Sequence, residues 1–248
     1  MRSYGLTDKG SVREENQDCF KIEYIKPQKF TLAVLCDGMG GANGGSIASS
    51  QSLETFSDSV LSKLSSRRRT KYNIKEVLLD ACRTANSFTY EFSMFDDSLS
   101  GMGTTLVGGI IRDNGECHIV NVGDSRAYYL SRKTRTIRQI TRDHSLVEEL
   151  IEYGAITREQ ARTHPQKNVI TRAVGSEPEV EPDYYDFMLL DNDVLILCSD
   201  GLSNIVREWE ILDFALEYET PELIVKSLMN LALYRGARDN VTIAAVCR

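Results

Sequence analysis

Apolar residues run without alternation through Leu32-Ala33-Val34-Leu35-Cys36 and again through Val194-Leu195-Ile196-Leu197-Cys198. Uninterrupted runs of this length read as strands buried on both faces. Each delivers an acid into a glycine: Asp37-Gly38-Met39-Gly40-Gly41 follows the first and Ser199-Asp200-Gly201 the second. An unpaired charge in an apolar rim costs roughly several kcal/mol or more. The pattern therefore calls for a cation near both strand tips.

The rest of the chain alternates between strand and helix signals. Short strands are expected at 3–8 and 17–24, with turn formers at Asp8-Lys9-Gly10-Ser11 between them, and a third at about 30–36. A helix capped by Asn43 or Ser46 should run to about residue 64. The basic stretch 65–71 reads as a solvated loop. Ile74, Val77, Leu78, Ala81, Cys82, Ala85, Phe88 and Phe92 recur at helical steps and mark the clearest amphipathic helix. Strands follow at 104–112, 117–122 and 126–130, with turns at Asp113-Asn114-Gly115 and Gly123-Asp124-Ser125. Residues 141–175 are polar and helical in pieces, are broken at His164-Pro165, and are expected at the surface, where they could act as a lid. Strands at 180–190 and 193–199 precede a helix with the stripe Ile205, Trp209, Leu212 and another with Ile224, Leu228, Leu231. Arg238-Asp239-Asn240 leads into a last strand, 241–246.

Composition narrows the class. At 248 residues, 42% hydrophobic and 26% charged, with five prolines, the chain is expected to form one globular domain, residues 1–248. The net charge of −7 argues against nucleic acid or an anionic membrane as main partner. No apolar run approaches the about 18 residues of a membrane span and no apolar signal region opens the chain, so a soluble cytoplasmic protein is expected. The six cysteines include no Cys-x-x-Cys pair, and those in strand-like runs read as small apolar residues. No cysteine has an arginine six positions on, so a phosphate-cradling thiolate is not indicated.

Five acids, Asp18, Asp37, Asp124, Asp200 and Asp239, each abut an expected strand. One aspartate beside a strand is ordinary turn chemistry; Asp37 and Asp200 carry the case because their strands are so apolar. Oxygen ligands without paired His or Cys select Mg²⁺ or Mn²⁺ over zinc. The histidines, His118, His144 and His164, are too dispersed for a zinc set.

Val12-Arg13 with Asn16-Gln17-Asp18, the Asp37 to Gly41 stretch, Gly101-Met102-Gly103-Thr104-Thr105, Gly123-Asp124-Ser125-Arg126, Ser199-Asp200-Gly201 and Asp239-Asn240-Val241-Thr242 stand in a telling order. In that order and at those separations the chain resembles the metal-dependent protein phosphatases, the bacterial protein phosphatase 2C type. His164-Pro165-Gln166 through Thr171-Arg172-Ala173-Val174-Gly175 is similar to the flap of that group.

The resemblance implies an α+β fold, a four-layer α-β-β-α sandwich of two mainly antiparallel sheets flanked by helices. It implies that Asp37 bridges two ions of Mn²⁺ or Mg²⁺, that the Gly38 carbonyl completes one, and that Asp200 and Asp239 hold the other. Asp124 resembles the ligand that joins Asp200 on a third ion. Asp18 resembles the acid that orders metal-bound water, with Gln17 and Asn240 beside it, and Arg13 the clamp on the substrate phosphate. The expected reaction is hydrolysis of phosphoserine and phosphothreonine in proteins, by a hydroxide between two ions about 3.5–4 Å apart. The expected partners are phosphoproteins and a bacterial Ser/Thr kinase, and the expected state a monomer. Many members have Glu where this chain has Gln17. Some have His as general acid where it has Met39, which leaves the proton donor unassigned.

Two other classes compete. A non-catalytic or partner-switching protein on the same fold would have lost a metal-site Asp, yet Asp37, Asp200 and Asp239 are intact. A nucleotide-binding turn is poorly supported, because Gly38-Met39-Gly40-Gly41-Ala42-Asn43 lacks the third glycine of the dinucleotide fingerprint.

Overall fold

The computed structural model describes residues 1–65 and 73–248. The basic stretch from residue 66 and the cap assigned to the Asn43 side chain lie outside what is described. Strands β1 (Arg2–Asp8), β2 (Asp18–Ile25) and β3 (Phe30–Met39) lead into helices α1 (Gly41–Ser65) and α2 (Ile74–Ser93). Then come β4 (Gly103–Thr104), β5 (Leu106–Arg112), β6 (Glu116–Val122), β7 (Arg126–Ser131) and β8 (Thr136–Gln139). Short helices α3 (Leu146–Glu152) and α4 (Arg158–Arg162) precede β9 (Asp183–Met188) and β10 (Val194–Cys198). Helices α5 (Asp200–Ser203), α6 (Glu208–Glu217) and α7 (Pro221–Tyr234) and strand β11 (Val241–Cys247) complete the described chain.

The strands form two antiparallel sheets. One has the order β1-β11-β10-β7-β8, the other β2-β3-β5-β6-β9 with β4 on the end of β3. Strand alternation sorts the buried residues into three layers. In β3, Leu32, Val34 and Cys36 pack with Leu53, Phe56 and Val60 of α1 and Leu78 and Cys82 of α2. Ala33 and Leu35 turn the other way and meet Leu195, Leu197, Ala244 and Val246 of the facing sheet. In β10, Val194, Ile196 and Cys198 join Ile224, Leu228 and Met229 of α7. The result is the α-β-β-α sandwich, and the runs 32–36 of β3 and Val194–Cys198 of β10 are apolar on both faces because helix covers one and sheet the other.

Several elements differ from expectation. Strand β3 runs on through Asp37 and Gly38 to Met39 because β4 pairs with it, Gly38 opposite Thr104, so Asp37 lies within the strand rather than at its tip. The expected strand 104–112 breaks at Thr105. Strand β8, with one apolar residue, Ile137, had no signal. Phe88 is 47% exposed and Trp209 62% exposed, off the faces assigned to them. The packed face of α2 continues instead through Asn86, Thr89 and Ser93. These polar residues are satisfied: Thr89 shares a hydroxyl hydrogen bond of 2.8 Å with Ser52, and Asn86 takes the Gly175 N–H at 2.8 Å. In α6, Glu210 rather than Trp209 is buried, held by Arg235 at 2.5 and 2.7 Å.

The segment 141–175 is anchored at both ends. Thr141, Asp143, His144 and Ser145 are buried, and so are Ala173 and Val174. Thr104 and Val174 exchange backbone hydrogen bonds of 2.9 and 2.8 Å, and Leu146 N–H reaches Val169 O at 2.9 Å. Helices α3 and α4 stand between these anchors, capped by Ser145 and Thr157.

Candidate active site

The two sheets bring their acid-bearing ends to one cavity of about 730 Å³. Arg13, Gln17, Asp37, Gly38, Asp124, Asp200, Asp239 and Asn240 all line it. Asp18 does not line the cavity. It lies behind, opposite Asp37 in the β2–β3 register and 6% exposed.

Backbone geometry fixes each carboxylate. The Asp37 N–H donates to Thr105 Oγ1 at 3.0 Å, and the Asp37 carbonyl accepts from Thr105 N–H and Thr104 Oγ1, both at 2.8 Å. Gly38 must be glycine because α1 starts against it: a Cβ there would lie 2.1 Å from Gly45 O and 2.7 Å from Gln17 O. Asp200 opens α5 directly after the buried β10, and Asn204 Nδ2 donates to its Oδ2 at 2.9 Å. At Gly201 a Cβ would lie 1.9 Å from Asn240 O, which explains the Asp-Gly pair there. Asp124 sits on the β6–β7 turn beside Ser125, whose hydroxyl meets Thr105 Oγ1 at 2.7 Å.

The loop from β1 to β2 carries Arg13 and is pinned by Asn240. Asn240 Oδ1 accepts the Gln17 N–H at 2.8 Å, and its Nδ2 donates to Lys9 O and Glu15 O at 2.9 Å. Its amide is thus committed to holding that loop. Asp239, next in the chain, takes the guanidinium of Arg13.

Electrostatics shows what the cavity lacks. Burial, then the neighbouring Asp18, Asp200, Asp124 and Asp239, pushes the Asp37 carboxyl well above the usual range. Asp124 is raised well above it too, by burial and then by Asp200. Asp200 is pushed up to about 6 by burial, then by Asp239 and Asp18. Asp18 is likewise raised to about 6, chiefly by burial, although Thr242 and Ser199 donate to its Oδ2 at 2.7 and 2.8 Å. Its other oxygen, Oδ1, is buried with no partner in the described residues. Crowded carboxylates of this kind are stabilised as anions only by added positive charge.

This donor set fits a hard divalent cation: every candidate ligand is oxygen, and among the described residues no His or Cys lines the cavity. Among the described residues no three acidic, His or Cys side chains converge as a ready-made chelate. The carboxylates come from separate elements of the fold, with Arg13 resting on Asp239. Sequence reasoning gave no role to Thr105, Ser125, Ser199 and Thr242, which fix Asp37 and Asp18. All four stand in the motif stretches of the sequence, each beside or within a strand that carries an acid.

Known proteins bear out the likeness. Residues 10–222 match the family model described as protein phosphatase 2C. The serine/threonine phosphatase stp of Listeria monocytogenes serotype 4b (strain F2365) is 36% identical over 100% of this chain and 96% of its own length. Protein phosphatase PhpP of Streptococcus pneumoniae serotype 2 is 34% identical over 97% and 95%. The crystal structure of serine/threonine phosphatase Stp1 from Staphylococcus aureus superposes with a TM-score of 0.89 at 36% identity, covering 99% of this chain and 94% of that one. The catalytic domain of the serine threonine protein phosphatase PstP, in complex with 2 manganese ions, gives 0.83 at 32%, covering 98% and 96%. With its two-sheet sandwich, its acid-lined cavity and these relatives, the chain belongs to the protein phosphatase 2C family.

Proposed function

We propose that this protein hydrolyses phosphoserine and phosphothreonine in proteins, using two or three divalent ions, Mn²⁺ or Mg²⁺. The observation that carries the reading is the gathering of Asp37, Asp124, Asp200 and Asp239 on one cavity with Arg13 at its rim. Asp37 would be shared between two ions, with the Gly38 carbonyl on one and Asp200 and Asp239 on the other; Asp124 and Asp200 would hold a third. Bound divalent ions supply the positive charge and Lewis acidity that make water a competent nucleophile near neutral pH.

The chain's own residues do the rest. Arg13, more than half exposed, offers a planar fork of donors to phosphate oxygens, which Lys could not reproduce. Ser199 and Thr242 hold Asp18 by one oxygen and leave Oδ1 to accept from water behind Asp37. Thr105 keeps the Asp37 backbone in place from below. Phosphoserine and phosphothreonine in proteins are products of phosphoryl transfer to hydroxyls, so the natural counterpart is a Ser/Thr kinase. In this reading residues 1–248 form one monomeric, cytoplasmic catalytic domain with 141–175 as its flap. Among the described residues no helix is long and apolar enough to cross a membrane.

The test is phosphate release from a phosphothreonine peptide with Mn²⁺, then with excess chelator. Release should need the metal and be lost in folded Asp37→Asn and Asp200→Asn. Retention of more than about a tenth of the activity in either variant would overturn the metal roles. No release with any divalent ion would favour a phosphoprotein-binding role on the same fold.

A further inference from the structure

Beside the acid-lined cavity lies a second one of about 460 Å³, lined by Val12, Lys167, Asn204, Ile205 and Arg238. It shares Arg13, Asn168 and Asp239 with the first, so the two are continuous at the Arg13 rim. Val12 is 59% exposed and Ile205 half-buried, which gives the groove a small apolar surface. Two cations enter it. Lys167 lines a further small cavity together with Asp200 yet forms no ion pair among the described residues, and Arg238 is exposed and likewise without one. The opposite rim has the other sign: Glu14 and Glu15 line the first cavity but do not reach the second.

In a chain of net charge −7, two cations with no ion pair among the described residues beside an apolar patch are a local feature, not a sample of the surface. We propose that this groove receives the residues on one side of the phosphorylated Ser or Thr of a protein substrate and selects an acidic residue there. The inference rests on the phosphatase reading above. Arg13 would hold the phosphate at the junction, the substrate chain would pass over Asn168, and its acidic side chain would meet Lys167 and Arg238. A small apolar side chain next to it would cover Val12 and Ile205. On the other side of the phosphoresidue Glu14 and Glu15 would disfavour acid, so the preference is one-sided.

The experiment compares kcat/KM for phosphothreonine peptides that differ only in carrying Glu or Lys at each position within three residues on either side. p-Nitrophenyl phosphate, which has no flanking residues, is the control, all with Mn²⁺ present. Glu should be favoured by about fivefold or more on one side only, and the preference should fade by about 0.5 M salt. Arg238→Glu should reverse the preference and leave turnover of the small ester unchanged within about twofold; Lys167→Gln should weaken it. Hydrolysis of the small ester with no such preference, a preference on both sides, or one untouched by Arg238→Glu would overturn the groove. Failure of metal-dependent hydrolysis of the small ester itself would overturn the reading beneath it.

Discussion

Arg13 clasps Asp239 at two points, Nε to Oδ1 at 2.8 Å and Nη2 to Oδ2 at 2.9 Å. The same fork that is proposed to hold a phosphate thus rests on a proposed metal ligand. Both side chains are substantially exposed, 55% and 39%, and such pairs contribute only about 0–1 kcal/mol. A divalent ion or a phosphate can therefore displace either partner.

Arg13→Ala should accordingly raise KM for a small phosphate ester about tenfold or more, since hydrogen bonds to charged groups contribute about 1.5–3 kcal/mol. Asp124→Ala should raise it less. Divalent-ion affinity in Arg13→Ala should be equal to or tighter than in the native protein, because a competing cation has gone. Steady-state kinetics at saturating Mn²⁺ and calorimetric metal titration check both. Weaker metal binding in that variant would contradict the competition.

The crowded carboxylates set a pH dependence whose sign can be worked out. Asp18 and Asp200 are raised to about 6 and Asp37 well above the usual carboxylate range, against an unfolded value of about 4. Between those values the folded chain binds more protons than the unfolded one, so stability falls as pH rises. Asp183 has the opposite sign, held down to about 2 chiefly by His144, but its contribution is lost only below about pH 4. Chelated protein should therefore melt at a higher temperature at pH 5 than at pH 7.5. Added Mn²⁺ should raise the melting temperature most at pH 7.5. Thermal denaturation with and without chelator would reveal a rise in the metal-free curve between those pH values if this account were wrong.

Gly38→Ala should destabilise the fold by about 1–3 kcal/mol, since its Cβ would press on Gly45 O of α1. Urea denaturation reads the cost. Activity should fall further than the stability loss explains, because any relief moves the Gly38 carbonyl or Asp37.

Thr242→Val removes one of the two donors to Asp18 Oδ2 and the 2.6 Å contact with Thr7. A lost hydrogen bond to the charged form raises the carboxyl further, so the acid limb of the pH–kcat/KM profile should shift upward. Ser199→Ala should shift it in the same direction. An unmoved limb in both variants would remove Asp18 from the reaction.

Much of this was legible from the residues. Strands β3 and β10 were readable because helix cores and the inter-sheet core both demand apolar side chains from them, leaving no polar face to blur the period. The acids that follow them needed a reason, and the cavity supplies it. What could not be read was held by partners distant in the chain. Asp37 stays in strand because β4, two residues long, pairs beside it. Thr89 replaces Phe88 on the inner face of α2 because Ser52 and Gly175 need a small polar neighbour there. Glu210 is buried because Arg235, 25 residues on, neutralises it. Lys167 and Arg238 have no pattern at all, being isolated cations until the fold sets them on one groove.

Strand β11 lies between β1 and β10, so the strand that comes last in the described chain is flanked on one side by the strand that comes first. A ribosome delivers them far apart in time: β1, with the Arg13 loop behind it, waits for residues 241–247 to be made. Until β11 slots in, Asn240 cannot pin that loop, Thr242 cannot reach Asp18, and Asp239 is not beside Arg13. Such a distant pairing is a slow closure. The consequence is a built-in delay: a chain that still lacks β11, however well its α1–α2 half has collapsed, has no assembled site.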